Sequence, residues 1–166
     1  MGGRPLVRII ATHYHPDHLG NAAWLSERFG CPVTMTMTEF LTAHAVLDER
    51  AAHGPRDICE LFRAHGMSAE DVAALAARGN HYRHRRAERT ADRCGDCCRA
   101  TAINAGGDAW QVIAGYGHSP EHASLFGAAR GVLVSGDMLL PKISTNVSVW
   151  PERSGRRTRW AVSWTR

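Results

Sequence analysis

The sequence predicts an α/β fold. Three observations carry this reading: a short β-branched run, a helix-period stretch directly after it, and a second short apolar run one helix later. Strand, helix, strand at this spacing is a βαβ unit. The first strand is read over residues 6–12, where Leu6, Val7, Ile9 and Ile10 dominate. The helix covers residues 17–29, with Leu19, Ala22, Ala23, Leu25 and Phe29 on its apolar face and Gly30 as its stop. The second strand is residues 31–36.

From residue 38 to about 86 the pattern is helical. Phe40, Leu41, His44, Ala45 and Leu47 mark one amphipathic helix. Ile58, Leu61, Phe62 and His65 mark a second, after the breaker Gly54-Pro55. Ser68 caps a third, with Asp71 at the capping-box position, and Gly79-Asn80 ends it. Three short helices between sheet elements form an inserted helical segment. Residues 89–107 carry three clustered Cys and several Arg, with no period that places them on an element. Residues 109–115 and 131–137 read as strands, and no internal repeat is visible. The expected organisation is one domain over residues 1–152 and an irregular, Arg-rich tail over 153–166.

At 166 residues there is room for one domain with a real core. Hydrophobic residues make up 44% and charged residues 22%, which excludes wholesale disorder. No apolar run approaches the roughly 20 residues that cross a bilayer. The start, through Pro5, Leu6 and Val7, lacks the long apolar stretch of a secretory signal, so the chain is read as cytoplasmic and not membrane-bound. Five scattered Cys without an export signal fit reduced thiols, and Cys94-x-x-Cys97 reads as incidental. Net charge is +4, and Lys142 is the only lysine. The arginine excess concentrates in the two aperiodic stretches, where nothing periodic would present it to nucleic acid, so no nucleic-acid partner is expected. Ten His in a chain this size direct the search for function.

Three imidazoles and a carboxylate lie in the segment Thr12-His13-Tyr14-His15-Pro16-Asp17-His18, directly after a strand. In extended backbone, positions two apart point the same way, so His13 and His15 project together. Pro16 biases His15 toward extended backbone. Asp17 and His18, where the helix begins, turn toward a neighbouring location. The geometry offers one pair of ligands to one metal and a second pair to another. Imidazole nitrogen with carboxylate oxygen suits zinc, and also iron or manganese. Two later segments match the first: the Gly-rich turn Gly115-Tyr116-Gly117-His118-Ser119-Pro120-Glu121-His122, and Ser135-Gly136-Asp137-Met138-Leu139-Leu140 at a strand end.

These residues resemble the metallo-β-lactamase superfamily, through His-x-His-x-Asp-His at 13–18, Gly-His-Ser-Pro-x-His at 117–122 and Gly-Asp-x-Leu-Leu at 136–140. Among its branches the chain looks most like the glyoxalase-II-like hydrolases with a helical insertion. The resemblance implies a partial αββα sandwich with metals at the edge of its two sheets. It implies that His13, His15 and His118 hold a first metal, that Asp17 and His18 hold a second, and that Asp137 bridges them. His122 matches a common family position and is given no ligand role. The implied activity is metal-dependent hydrolysis, with one or two Zn²⁺ and a small-molecule ester, thioester or similar acyl substrate. Asp17 would act catalytically, orienting the nucleophile and passing a proton to the leaving group.

The sequence departs from the family pattern in three ways. The His-rich segment starts at residue 13, where the family has several strands ahead of it. No His follows His122 to complete a second metal. Residues 89–107 and 154–166 are Arg-rich and unlike the family, as a translated frame slip in GC-rich DNA would be. The chain is therefore read as truncated at both ends. Two alternatives accompany the hydrolase: an impaired remnant binding one metal through His13, His15 and His118, and a mono-iron sulfur dioxygenase-like relative using His13, His118 and Asp137. Ser144, Asn146 and Ser148 are expected to reach the site mouth. His44, His53, His65, His81 and His84 lie on or near the helical insert, where surface or cap-packing roles are expected ahead of metal binding; substrate lining by one of them is the alternative, with nothing in the sequence to choose which.

Overall fold

The βαβ unit at the start of the chain is present in shortened form. In this computed structural model, residues 5–50, 53–80, 82 and 102–148 are described, together with the backbone of 94–96. Strand β1 is only Ile9–Ile10, against the seven residues expected, because its partner β2 is itself short, Val33–Met35. The two run parallel with Ile9 opposite Val33, and the amides of Ile9 and Ala11 bond Pro32 O and Thr34 O just beyond the ladder.

The connecting helix is broken. It forms a single turn, α1 (Pro16–Leu19), then a second helix, α2 (Ala22–Phe29), with Gly20 and Asn21 between them. Gly20 and Asn21 are weak helix formers, which explains a break that the apolar period did not show. Pro16 opens α1, and His15 before it is extended at φ −58°, ψ 147°. Gly30 ends α2 at φ +63°, a left-handed position that favours glycine.

The helical insert follows β2 as α3 (Met37–Leu47), α4 (Pro55–Ala64) and α5 (Ala69–Arg78). Ser68 caps α5, accepting the Asp71 amide and donating to the Asp71 carboxylate. Cys59 of α4 and Val72 of α5 are buried, and the Cys59 thiol faces Val72 O at 3.9 Å. A third parallel strand, β3 (Cys94–Asp96), pairs with β2 and gives the order β1-β2-β3.

The second sheet is an antiparallel meander. Strands β4 (Ala102–Ala105), β5 (Asp108–Gly115), β6 (His122–Gly127) and β7 (Val132–Val134) are neighbours in that order. β3 and β4 lie within the stretch that the sequence left unassigned, and β6 was not anticipated. β4 is paired over its whole length, Ala102 opposite Gln111 through Ala105 opposite Asp108, so pairing rather than its own pattern defines it. The strand expected over 131–137 ends at Val134, and Gly136–Met138 turns as a 3₁₀ helix that carries Asp137.

Two buried clusters hold these layers. Val33 and Met35 of β2 pack with Ala22 of α2 and with Ala43 and Val46 of α3, joined by Ala11, Tyr14 and Leu19. Ile103, Ala123 and Leu125 form the core of the antiparallel sheet, and Ile10 of β1 packs against it beside Trp110 and Val112. The amide of Ala123 donates to Thr12 O at 2.8 Å, tying the two sheets where the His-rich segment begins. On β7 the side chains of Val132, Leu133 and Val134 are each 43% exposed, so that edge carries uncovered apolar surface. The tail at 153–166 lies outside the described residues. Among the described residues no helix is long and apolar enough to cross a membrane.

Candidate metal centre

Three loops at the ends of strands bring the predicted residues together. His13 and His15 follow β1, His118 lies between β5 and β6, and Asp137 follows β7. His13 Nε2 is 2.9 Å from His15 Nδ1 and 3.2 Å from His118 Nε2, and His118 Nε2 is 3.0 Å from His15 Nδ1. Asp137 Oδ2 stands 3.4 Å from His118 Nε2 and 4.0 Å from His13 Nε2. Its other oxygen, Oδ1, is 3.1 Å from His18 Nε2, and His18 Nε2 is 3.7 Å from Asp17 Oδ2. The result is two donor groups, His13–His15–His118–Asp137 and Asp17–His18–Asp137, sharing one carboxylate.

The donors fit a divalent cation. His118 Nδ1 donates to Asn146 O at 3.0 Å, which leaves its Nε2 lone pair facing the cluster. A tetrahedral ion with bonds of 2.0–2.1 Å has ligand–ligand edges of about 3.3 Å, close to the nitrogen spacings seen here. Three imidazole nitrogens aimed at one point satisfy each other poorly as hydrogen-bond partners and a cation well. His13 is fully buried and His118 nearly so, whereas Asp17 is 68% exposed and opens the second group to solvent.

Burial sets the protonation of this cluster. His13 is driven far below the ordinary imidazole value, first by burial and then by the surrounding imidazoles. His15 is lowered to about 4, by burial first and His118 second, with Asp17 and Asp137 pulling the other way. Neutral imidazole is the form that can donate a lone pair.

His122 lies behind His13, ring centroids 4.9 Å apart, and is itself fully buried. Burial followed by His118 lowers it to about 4. Among the described residues its Nε2 has no hydrogen-bond partner. The ring packs into a cradle at Gly136, where a Cβ would come within 2.8 Å of His122 Cε1.

Glu39 is the residue the sequence reading missed. It is fully buried on α3, and its carboxylate reaches both ligand-bearing loops. Oε2 accepts the amide of Tyr14 at 3.0 Å, between His13 and His15. Oε1 accepts the Ser119 hydroxyl and the Glu121 amide, each at 2.6 Å, beside His118. Burial pushes this carboxyl upward, and donation from Ser119, Glu121 and Tyr14 opposes it. A signal was present: Thr36-Met37-Thr38-Glu39 has capping-box spacing, and Thr36 Oγ1 does accept the Glu39 amide at 3.2 Å. The Glu39 side chain is turned to the loops instead.

Of the later polar run, Asn146 and Ser148 reach the site, Ser148 Oγ donating to His118 O at 3.0 Å; Ser144 is exposed. Among the other imidazoles, His53 is buried and lines a cavity beside the cluster, while His65 turns back on Leu61 O at the end of α4. His81, His84, Cys97 and Cys98 lie outside the described residues.

A polar cluster at the meeting edge of a parallel and an antiparallel sheet, built from strand-end loops, gives this α/β protein a site able to hold a metal ion. Residues 1–165 match the family model of the metallo-beta-lactamase superfamily, and the chain belongs to that superfamily. It is similar to the solved structure of a beta-lactamase domain protein from Burkholderia ambifaria. The identity there is 38% and the TM-score 0.73, over 90% of this chain and 41% of that one. It is also similar to a metallo-beta-lactamase family protein from Thermus thermophilus. In that case the identity is 28% and the TM-score 0.64, over 88% of this chain and 45% of that one. The chain thus spans less than half the length of either protein. No curated protein matches it at a significant level.

Proposed function

We propose that the chain carries the centre of a metal-dependent hydrolase acting on an ester, thioester or similar acyl bond. The observation that carries this reading is Asp137, whose two oxygens face separate donor groups, 3.1 Å from His18 and 3.4 Å from His118. In this reading His13, His15 and His118 hold one ion, Asp17 and His18 a second, and Asp137 both. Zinc suits the nitrogen-rich first group best. A bound ion would supply Lewis acidity and would lower the pKa of a bound water to about 7.

The chain's own residues do the rest. Glu39 fixes the loops on either side of the three imidazoles, and Asn146 O fixes the His118 tautomer. Asp17 is exposed at the start of α1, and in this reading it orients a water and hands that water's proton to the leaving group. The helical insert between β2 and β3 supports a place among the glyoxalase-II-like hydrolases.

Metal analysis combined with a thioester hydrolysis assay tests this. Two zinc ions per chain with turnover is the expected result. One zinc without turnover would leave a metal-binding remnant, and one iron would favour oxygen chemistry through His13, His118 and Asp137; either overturns the hydrolase reading.

A further inference from the structure

A cavity of about 600 Å³ lies against the centre. His15 and Asp17 belong to its wall, and the helical insert supplies most of the remainder: Ile58, Leu61 and Phe62 from α4 and Leu75 from α5. We propose that this cavity binds the acyl chain of the substrate, as a linear aliphatic group whose carbonyl end lies at His15 and Asp17. The proposal rests on the hydrolase reading and narrows its substrate class.

The chemistry of the wall argues for a hydrocarbon. Several of its polar members are already engaged with the protein. Asn80 donates to Val46 O at 2.8 Å and accepts the Tyr82 amide at 3.1 Å. Ser148 Oγ is committed to His118 O and Asn146 O to His118 Nδ1. The Tyr82 hydroxyl lies 3.5 Å from that of Tyr14, and the two rings stack at 5.6 Å. A sugar or peptide placed against the α4 and α5 side of the wall would recover few hydrogen bonds for the hydration it loses, at a cost a hydrocarbon avoids. No Lys or Arg is among the described lining residues, so a phosphate or carboxylate held deep in the cavity would have no counter-charge. The volume lies within the usual range for small-ligand sites.

The test is a chain-length series. Acetate, butanoate, hexanoate and octanoate are titrated calorimetrically into the full chain, once zinc-loaded and once zinc-free. Affinity should rise roughly three- to fourfold per added methylene. Ile58→Trp, which fills the cavity, and Leu75→Trp, which fills it from the other helix, should flatten that rise, with zinc content and circular dichroism reporting that each variant is folded. Equal affinity for all four acids in a zinc-loaded chain overturns the cavity proposal and leaves the hydrolase reading standing. So does a rise that survives in both folded variants. A rise in a chain that retains no zinc supports the cavity and removes the hydrolase reading.

Discussion

Glu39 Oε2 accepts the backbone amide of Tyr14 at 3.0 Å, so a side chain of the helical insert holds the turn that carries His13 and His15. The same carboxylate holds Ser119 and Glu121 beside His118. Removing it strands three buried or half-buried donors at once. Glu39→Ala should lower the unfolding free energy by about 3 kcal/mol. Zinc affinity should fall roughly 10- to 100-fold, the usual cost of losing a group that orients ligands. Glu39→Gln, which keeps one acceptor oxygen, should fall between the two. Urea unfolding and zinc titration measure both effects, and an alanine variant as stable as the parent would remove Glu39 from this role.

His13 is the most deeply buried of the three imidazole donors and lies within 3.2 Å of two other imidazole nitrogens. His13→Ala should weaken zinc binding at least about 100-fold, more than the loss of a supporting group. Any acyl hydrolysis should vanish with it. Turnover in a metal-free His13→Ala protein would contradict the assignment.

Gly136 precedes Asp137 and sits at φ +50°, with His122 Cε1 and Thr12 Oγ1 at 2.8 and 3.0 Å from the place a Cβ would occupy. A side chain there meets both left-handed backbone strain and a clash with a buried ring. Gly136→Ala should cost at least about 2 kcal/mol and reduce metal content by moving Asp137. Thermal unfolding and metal analysis check the two effects separately.

In the metal-free chain, stability should fall with acid in a defined window. His15 and His122 are each lowered to about 4 from 6.5 by burial, so the folded state keeps them neutral where the unfolded state protonates them. The unfolded chain then binds more protons, and stability falls as pH drops. The contribution of these two should begin near pH 6.5 and be complete near 4, while His13, held neutral further down, extends the loss to lower pH and the raised Glu39 carboxyl opposes it. Urea midpoints at about pH 7.5, 6 and 5 measure it, and a midpoint that does not move would refute it.

The clustering of the candidate ligands was legible because ligand chemistry is written locally. His13, His15, Asp17 and His18 lie within six positions, and only their partners His118 and Asp137 had to be found at distant strand ends. Glu39 was not legible, since its role depends on loops 25 and about 80 residues away, and its local spacing fits a helix cap equally well. The breaks were hidden for a similar reason. The apolar period of residues 17–29 continues across Gly20 and Asn21, while backbone propensity ends the turn. β4 escaped because Ala102, Asn104 and Ala105 are poor strand formers that pair only because β5 is beside them.

The most direct test is the metal content of the purified chain after zinc loading and desalting, beside that of a His15→Ala/His118→Ala variant. At least one equivalent of zinc is expected in the parent chain and background in the variant. Equal zinc in both, or none in a folded parent chain, would contradict the metal-centre assignment.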